Sequence, residues 1–247
     1  MEDVAPELYD EIQKIYKESV RSDKRITNIV SRVKAGKGTQ SDLRILADRL
    51  GKHSSDALKQ VLKVDRLPDG KLYWNIAEKT IKPTLEQTHN VVNAVASLEK
   101  RAEDTKHGIK LALKTGGDPS RRISEVMNFA TNSVTQAELS NALTDPVKTV
   151  VIAFLDDFEK TNAQVRSEAG IPQYVVREYD GVGLHSGACN WCLERAGTWS
   201  YEDAEANGVF ERHPGCGCTI EVLYEDGFAG IQKDWTHNEW DYGFTNL

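Results

Sequence analysis

Four cysteines and one histidine lie close together near the end of this chain, and their spacing suits the chemistry of a metal site. Cys189 and Cys192 form a C-x-x-C pair, Cys216 and Cys218 form a C-x-C pair, and His213 precedes the second pair. Two short chelating turns of this kind can bind one tetrahedral Zn²⁺ ion, which then stabilises a fold whose apolar core is too small to be stable alone. The spacing therefore predicts a structural zinc site.

The redox state of these cysteines decides whether they form disulfides or bind a metal ion. The first residues are acidic and polar where a secretion signal would be basic and then apolar, so we expect the chain to stay in the reducing compartment where it is made. We therefore predict thiolates that bind metal rather than two disulfides. All four cysteines are the favoured ligands, with His213 in place of Cys216 as the alternative. Four bound thiolates leave no open position for water, which favours a structural role.

Enzymatic motifs fit the chain less well than a structural metal site. A zinc deaminase needs H-x-E ahead of its cysteines, whereas His185 is followed by Ser186 and Gly187. A thioredoxin-type pair would not explain the second cysteine pair. The segment Gly36–Thr39 has only part of a phosphate-binding loop motif, and we predict a helix-ending glycine turn there. The prediction is a non-enzymatic protein, with a zinc-dependent hydrolase or deaminase as an alternative.

Composition restricts the class of protein further. The 247 residues carry a net charge of -7, which argues against wholesale wrapping of nucleic acid. No stretch approaches the roughly 20 apolar residues that cross a bilayer, so no membrane contact is expected. The densest positive segment is most simply a solvated helix face, and contact with DNA phosphates or an acidic partner surface is the alternative. Its cations are Arg21, Lys24, Arg25, Arg32, Lys34 and Lys37.

Apolar residues recur every three to four positions over the first part of the chain, as they do in amphipathic helices. This spacing predicts one amphipathic helix from Leu8 to about Val33, or two helices with a break near Ser22. A second helix is predicted to begin at Ser41–Asp42 and to end at Gly51, and a third follows it.

Proline residues indicate where several later helices begin. We predict one helix over Leu72–Thr80 and another over Thr84–Glu103, with Pro83 at the start of the second. Asp118–Pro119 and Asp145–Pro146 each predict a further helix start, because an acceptor side chain followed by proline is a strong helix opening.

The character of the sequence changes near Gly170. Residues 171–247 hold all the cysteines and four of the five tryptophans, and Gln173–Tyr179 is rich in the β-branched and aromatic residues typical of a strand. We predict a mainly α protein, with an N-terminal helical body over residues 1–170 and a small zinc-stapled α+β module over residues 171–247. Four aromatic side chains are expected to shield the zinc site: Trp191, Trp199, Tyr201 and Phe210.

Short motifs that run through most of the chain resemble those of one known family. In the C-terminal part they are Asn162, Ala169–Ile171, Val176–Arg177, Cys189–Cys192, Arg195–Thr198, Tyr201, Val209–His213, Cys216–Thr219 and Asp234–Trp235. Upstream they are Leu67–Tyr73, Asn75–Glu78 and Pro83. Together they resemble the minor head proteins of tailed phages and prophages, especially of Gram-positive hosts, in the head morphogenesis class named after the F protein of phage Mu. Two features depart from that family. Gly217 stands between the last two cysteines, where the family usually has an arginine, and Glu221–Tyr224 is largely apolar, where the family commonly has an acidic or polar run.

The resemblance implies a low-copy structural protein of the procapsid or virion, at the capsid interior or portal vertex, with the host cytoplasm as its compartment during assembly. The implied partners are the portal protein, the major capsid protein and further copies of this chain. The implied roles are head assembly and DNA packaging or ejection. The alternative from another class is a zinc-ribbon protein that binds nucleic acid.

Overall fold

A computed structural model describes residues 3–179 and 189–225 of this protein. The sequence predictions at His185, Asp234 and Trp235 lie outside the described residues. Helices dominate the described ranges, and a small antiparallel sheet lies near their C-terminal end. The predicted fold class, mainly α with a small α+β part, is therefore confirmed.

The elements follow one another in chain order. The helices are α1 (Ala5–Ser22), α2 (Lys24–Lys34), α3 (Gln40–Val61), α4 (Trp74–Lys106), α5 (Ser120–Thr131), α6 (Gln136–Ala142), α7 (Asp145–Glu168), α8 (Asn190–Leu193) and α9 (Tyr201–Ala206). The strands are β1 (Gln173–Glu178), β2 (Gly197–Trp199) and β3 (Thr219–Tyr224). The sheet order is β2-β1-β3, and both strand pairs are antiparallel.

Of the two alternatives for this region, the pair of helices with a break near Ser22 is the correct one. Asp23 adopts an extended backbone between α1 and α2, and its carboxylate caps α2 by accepting hydrogen bonds from the amides of Arg25 and Ile26. The predicted glycine turn after α2 is also confirmed, because Gly36 has a φ of 67° directly after the end of that helix.

The predicted helix end at Gly51 is wrong, because α3 continues through this residue. A Cβ atom at position 51 would lie 3.1 Å from the Cα of Lys148 and 3.3 Å from the Cβ of Val151, both in α7. Gly51 therefore permits close approach of α3 and α7, which is a different use of glycine from the helix cap that the spacing indicated.

α4 likewise continues through Pro83, where the sequence predicted the start of a new helix. Proline removes one backbone hydrogen bond inside a helix and usually ends or kinks it. Here α4 packs against α1, α3, α5 and α7, and its buried residues extend on both sides of the proline. Tertiary packing over a 33-residue helix thus outweighs the local preference of one residue.

Two apolar cores meet at α7. The larger one is built by α1 to α7. The smaller one lies against the sheet and comprises Ala163, Val175, Tyr201, Ala204, Val209, Phe210, Ile220 and Val222, the first of them from α7. Among the helices of the described ranges, none combines the length of a membrane span with a sufficiently apolar stretch.

Polar contacts connect β3 to the helical body. The fully buried Arg166 of α7 forms an ion pair with Asp104 of α4, and its Nε donates to the hydroxyl of Tyr224 at 2.8 Å. The same hydroxyl donates to Asp104. At the edge of β3, the side chain of Gln40 accepts from the amide of Val222 at 2.9 Å and donates to its carbonyl. The division into two domains at residue 170 stays a prediction. The contacts of Tyr224 and Val222 join residues on both sides of that boundary.

Two carboxylates near this junction are buried without full hydrogen bonding. Within the described residues, both oxygens of Glu159 and one of Glu99 have no hydrogen-bond partner. Burial, reinforced by the charge of Glu103, raises the pKa of Glu99 to about 8. Burial also raises the pKa of Glu159 to about 7, although the cations of Lys100 and Arg166 oppose the shift. Both groups therefore favour the protonated form in the folded protein more than in the unfolded chain.

We expect Glu159→Gln to make the protein less sensitive to rising pH. Because folding raises this pKa from 4.5 to about 7, the native state binds the proton more tightly, and stability is lost as the pH rises through that window. The neutral amide removes this loss. The free energy of unfolding of the variant, relative to wild type, should therefore increase by about 2–3 kcal/mol between about pH 5 and about pH 8.

Urea titrations at the two pH values measure this difference. Glu125→Gln is the matched control, because the side chain of Glu125 is 55% exposed on α5. A pH dependence that is the same in Glu159→Gln and wild type would show that the buried carboxyl does not titrate as described.

Candidate metal centre

Local structure places the first cysteine pair on one short helical turn. Cys189 is the N-cap of α8 and Cys192 is its third residue, so both sulfurs lie on the same side of the turn. The second pair follows a tight turn at Gly215, whose φ is 76°. The amide of Gly215 donates to the hydroxyl of Thr149 on α7 at 3.0 Å, which holds this turn against the helical body.

All five predicted donors come together in space. His213 Nε2 lies 3.3 Å from Cys189 Sγ and 3.1 Å from Cys192 Sγ, and Cys192 Sγ lies 3.8 Å from Cys216 Sγ. The donor atoms of Cys189, Cys192 and His213, the first donor triad, all lie within 4.8 Å of one another. Those of Cys192, Cys216 and Cys218, the second donor triad, do so as well. The two triads thus share Cys192.

One sulfur–sulfur distance of the cluster matches that of a tetrahedral zinc site, and three of its four cysteines are buried. Zn–S bonds of about 2.3 Å in a tetrahedron place two sulfurs about 3.8 Å apart, which matches the distance between Cys192 and Cys216. Cys192, Cys216 and Cys218 are buried, Cys189 is partly exposed, and all four are free thiols. These residues can hold a metal ion, and soft thiolate and imidazole donors suit zinc.

Aromatic protection of the site differs from the prediction. Trp191 packs edge-to-face against His213, with ring centroids 5.6 Å apart. The other three predicted shields, Trp199, Tyr201 and Phe210, instead pack in the apolar cluster against the sheet. The prediction was wrong for these three because the sheet needs its own core, and the sequence does not reveal which cluster an aromatic residue joins.

Arg177 of β1 is a contact of the site that reasoning from ligand types missed. It is buried, and its Nη2 lies 3.5 Å from Cys216 Sγ and 3.9 Å from Cys192 Sγ. Its Nη1 donates to the carbonyl of Glu211 at 2.8 Å, which holds the segment that leads to His213. The alternation of buried and exposed residues along β1 could have revealed this contact. Arg177 occupies an inward-facing position of the strand, where an apolar residue is usual, so its charge needs a buried partner.

Arg212 connects the second cysteine pair to α7. Its buried guanidinium forms a two-point ion pair with Asp156, and its Nη1 donates to the carbonyl of Cys218 at 2.7 Å. The same nitrogen lies 3.7 Å from Cys216 Sγ. Asp157, the next residue of α7, points to a different partner and pairs with Arg122 of α5, because adjacent residues of a helix do not face the same side.

Electrostatics favour a thiolate at Cys216. The hydrogen bond from Cys218 and the guanidinium of Arg212 lower the pKa of Cys216 to about 4, although burial opposes this. Burial raises the pKa of Cys192 to about 11. A bound metal ion would deprotonate Cys192 as well, because a coordinating thiol loses its proton.

The predicted basic segment covers the end of α1, the whole of α2 and the turn that follows it. All six of its cations are exposed, and we call them the basic face. The one carboxylate of the segment, Asp23, is buried and paired with Arg49 and His53 of α3. Arg32 pairs with the buried Asp42 at 3.0 Å, beside an open cleft of about 220 Å³ between α2 and α3.

Comparisons of this chain with protein-family models, with curated proteins and with solved structures gave no match. The site is defined by its own residues, which are a partly buried cluster of four cysteines and one histidine with two arginines against its sulfurs.

Proposed function

We propose that this chain is a non-enzymatic minor head protein of a tailed bacteriophage or prophage, with a C-terminal module stabilised by one structural zinc ion. The observation that carries the zinc part is the pair of donor triads that share Cys192. Five donors are present for the four positions of a zinc ion, which leaves no position for water or substrate. The head-protein part is supported by the resemblance of the motifs that surround these donors.

The position of the cluster supports a structural role for the ion. Its ligands come from α8 and from the segment before β3, and contacts from Arg212 and Gly215 connect that segment to α7. Zinc binding to such a site adds its free energy to folding. The ion would therefore hold the module together and keep it seated on the helical body.

The proposed partners are the portal protein, the major capsid protein and further copies of this chain, contacted through the helical body. The proposed location is the capsid interior or the portal vertex of the virion, after assembly in the host cytoplasm. Head assembly is the proposed role, with participation in DNA packaging or ejection.

The basic face favours a second candidate, contact with DNA, which a zinc-ribbon nucleic-acid-binding protein would also make. Six exposed cations in a segment whose single carboxylate is buried suit the phosphate backbone, even though the chain as a whole carries a charge of -7. Such contacts are independent of base sequence and weaken as salt displaces them.

We expect a variant with Lys24→Gln, Arg25→Gln and Lys34→Gln to bind duplex DNA at least about tenfold more weakly, and to show a salt slope lower by about 2–3, because it loses phosphate contacts. Fluorescence anisotropy over a salt series measures both quantities. The matched control has the same charge change on exposed lysines elsewhere, namely Lys14→Gln, Lys17→Gln and Lys71→Gln. Equal losses in the two variants, or no binding by wild type, would contradict DNA contact through the basic face.

Analysis of purified particles tests the main proposal. Particles of the phage or induced prophage that encodes this chain should contain it at a constant low copy number, with one zinc ion per chain. Quantitative mass spectrometry and elemental analysis measure the two values. Particles that lack the chain would contradict the head-protein assignment, and zinc near zero would contradict the structural zinc ion.

A further inference from the structure

We propose that the zinc ion is bound by Cys189, Cys192, His213 and Cys216, and that Cys218 stays outside the coordination sphere. This inference rests on the proposed zinc binding and names its ligands. It differs from both sets that the spacing predicted, because His213 takes the place of Cys218 rather than of Cys216.

The geometry of His213 is that of a metal ligand. Its Nδ1 lies 2.9 Å from the carbonyl oxygen of Pro214, so a proton on Nδ1 completes a hydrogen bond and leaves the lone pair on Nε2. That lone pair faces the sulfurs of Cys189 and Cys192 at 3.3 and 3.1 Å. Zinc-bound histidines typically donate their second ring N–H to a backbone carbonyl in this way, and Trp191 further restricts the ring.

One residue of the second donor triad must supply the fourth ligand, and contacts favour Cys216. Its sulfur lies 3.8 Å from Cys192 Sγ, the spacing of two sulfurs on one zinc ion. It also faces two guanidinium groups, Arg177 at 3.5 Å and Arg212 at 3.7 Å. N–H groups directed at a sulfur stabilise a metal-bound thiolate. The sulfur of Cys218 also lies within 4.8 Å of those of Cys192 and Cys216, but among the described contacts no guanidinium N–H is directed at it. The contact of Arg212 with Cys218 is instead to the backbone carbonyl, at 2.7 Å, directly before β3.

The balance of buried charge agrees with this ligand set. Zn²⁺ with three thiolates and a neutral imidazole carries one net negative charge, and a fourth thiolate would add a second in a desolvated place. Within the described residues, Arg177 donates to the carbonyls of Val209 and Glu211 and to two sulfurs but to no carboxylate, so it supplies one compensating charge. Arg212 is already paired with Asp156, so its charge is compensated by that carboxylate.

X-ray absorption at the zinc edge of the wild-type protein tests the inference without any substitution. We expect three sulfur neighbours at about 2.3 Å and one nitrogen at about 2.0–2.1 Å. Four sulfurs and no nitrogen would overturn the ligand set while leaving the proposed function intact. Two zinc ions per chain would overturn it as well, since each triad would then hold its own ion. Absence of zinc would instead overturn the zinc part of the proposed function.

Single substitutions identify the spare cysteine. With Cys218→Ser, the zinc affinity should stay within about threefold of wild type and the visible spectrum of the Co²⁺-loaded protein should not change. With Cys216→Ser or His213→Asn, the affinity should fall by at least about tenfold, and the Co²⁺ bands should shift. A shifted spectrum in Cys218→Ser together with an unchanged one in Cys216→Ser would assign the fourth position to Cys218. Where Cys216→Ser does not fold, X-ray absorption of Cys218→Ser still decides: an unchanged shell of three sulfurs and one nitrogen supports the proposed set, and loss of one sulfur overturns it.

Discussion

Replacing Cys192 with serine should abolish zinc binding and unfold the C-terminal module, because this residue belongs to both donor triads. Small zinc domains gain an apparent free energy of about 10–16 kcal/mol from their metal. The apolar cluster against the sheet is small, so loss of even part of that energy should exceed what the remaining contacts of the module supply. The core of α1 to α7 is built from other residues, and we expect the helical body to stay folded.

Elemental analysis should show less than about one tenth of a zinc ion per chain in Cys192→Ser, because each donor triad is reduced to two donors. Limited proteolysis should cut the module while far-UV circular dichroism keeps most of the helical signal. Leu193→Ser is the matched control, since Leu193 is the next residue of α8 and its side chain is 44% exposed. Treatment of wild type with a strong chelator should reproduce the variant, and full zinc content in Cys192→Ser would contradict the shared-ligand arrangement.

Replacing Arg166 with methionine should destabilise the whole protein by about 3–5 kcal/mol, the usual cost of removing one partner of a buried ion pair. The substitution leaves Asp104 buried beside Tyr224 without its cation, although methionine fills most of the volume. For a chain of this length the loss corresponds to a decrease of about 6–20 °C in Tm. Calorimetry or urea titration measures it.

Lys160→Met is the control for Arg166→Met. It lies on the same helix, and its pair with Glu205 at 3.2 Å is partly exposed, so its loss should cost less than about 1 kcal/mol. A double variant with Arg166→Met and Asp104→Leu should recover much of the lost stability, because it removes the uncompensated carboxylate. Equal losses for Arg166→Met and Lys160→Met would mean that the buried pair does not secure the junction of β3 with the helical body.

Much of the helical body was predictable because its signals are local. The break at Asp23 and the turn at Gly36 follow from capping and from glycine conformation, which involve neighbours in the chain. Gly51 and Pro83 misled the prediction because their environment is set by packing partners far away in sequence. The presence of a glycine does not by itself show whether it ends a helix or permits close contact between two helices.

The candidate site divides in the same way. The five donors were found from residue type and spacing, since a chelating turn is a short-range feature. Arg177 and Arg212 were not found as contacts of the sulfurs, because each reaches the cluster from a strand or loop whose partner was unknown.

The sequence by itself determined which residues can bind metal, that the protein is mainly helical, and that a small strand-containing module follows the long helices. Only the tertiary structure decided that His213 faces Cys189 and Cys192, that two buried guanidinium groups lie against the sulfurs, and that α7 carries the module. The physical reason is the separation in sequence of the interacting residues. Capping, periodicity and chelating turns involve residues that are close in sequence, whereas a buried charge is paired with a counter-charge that can come from any part of the folded chain.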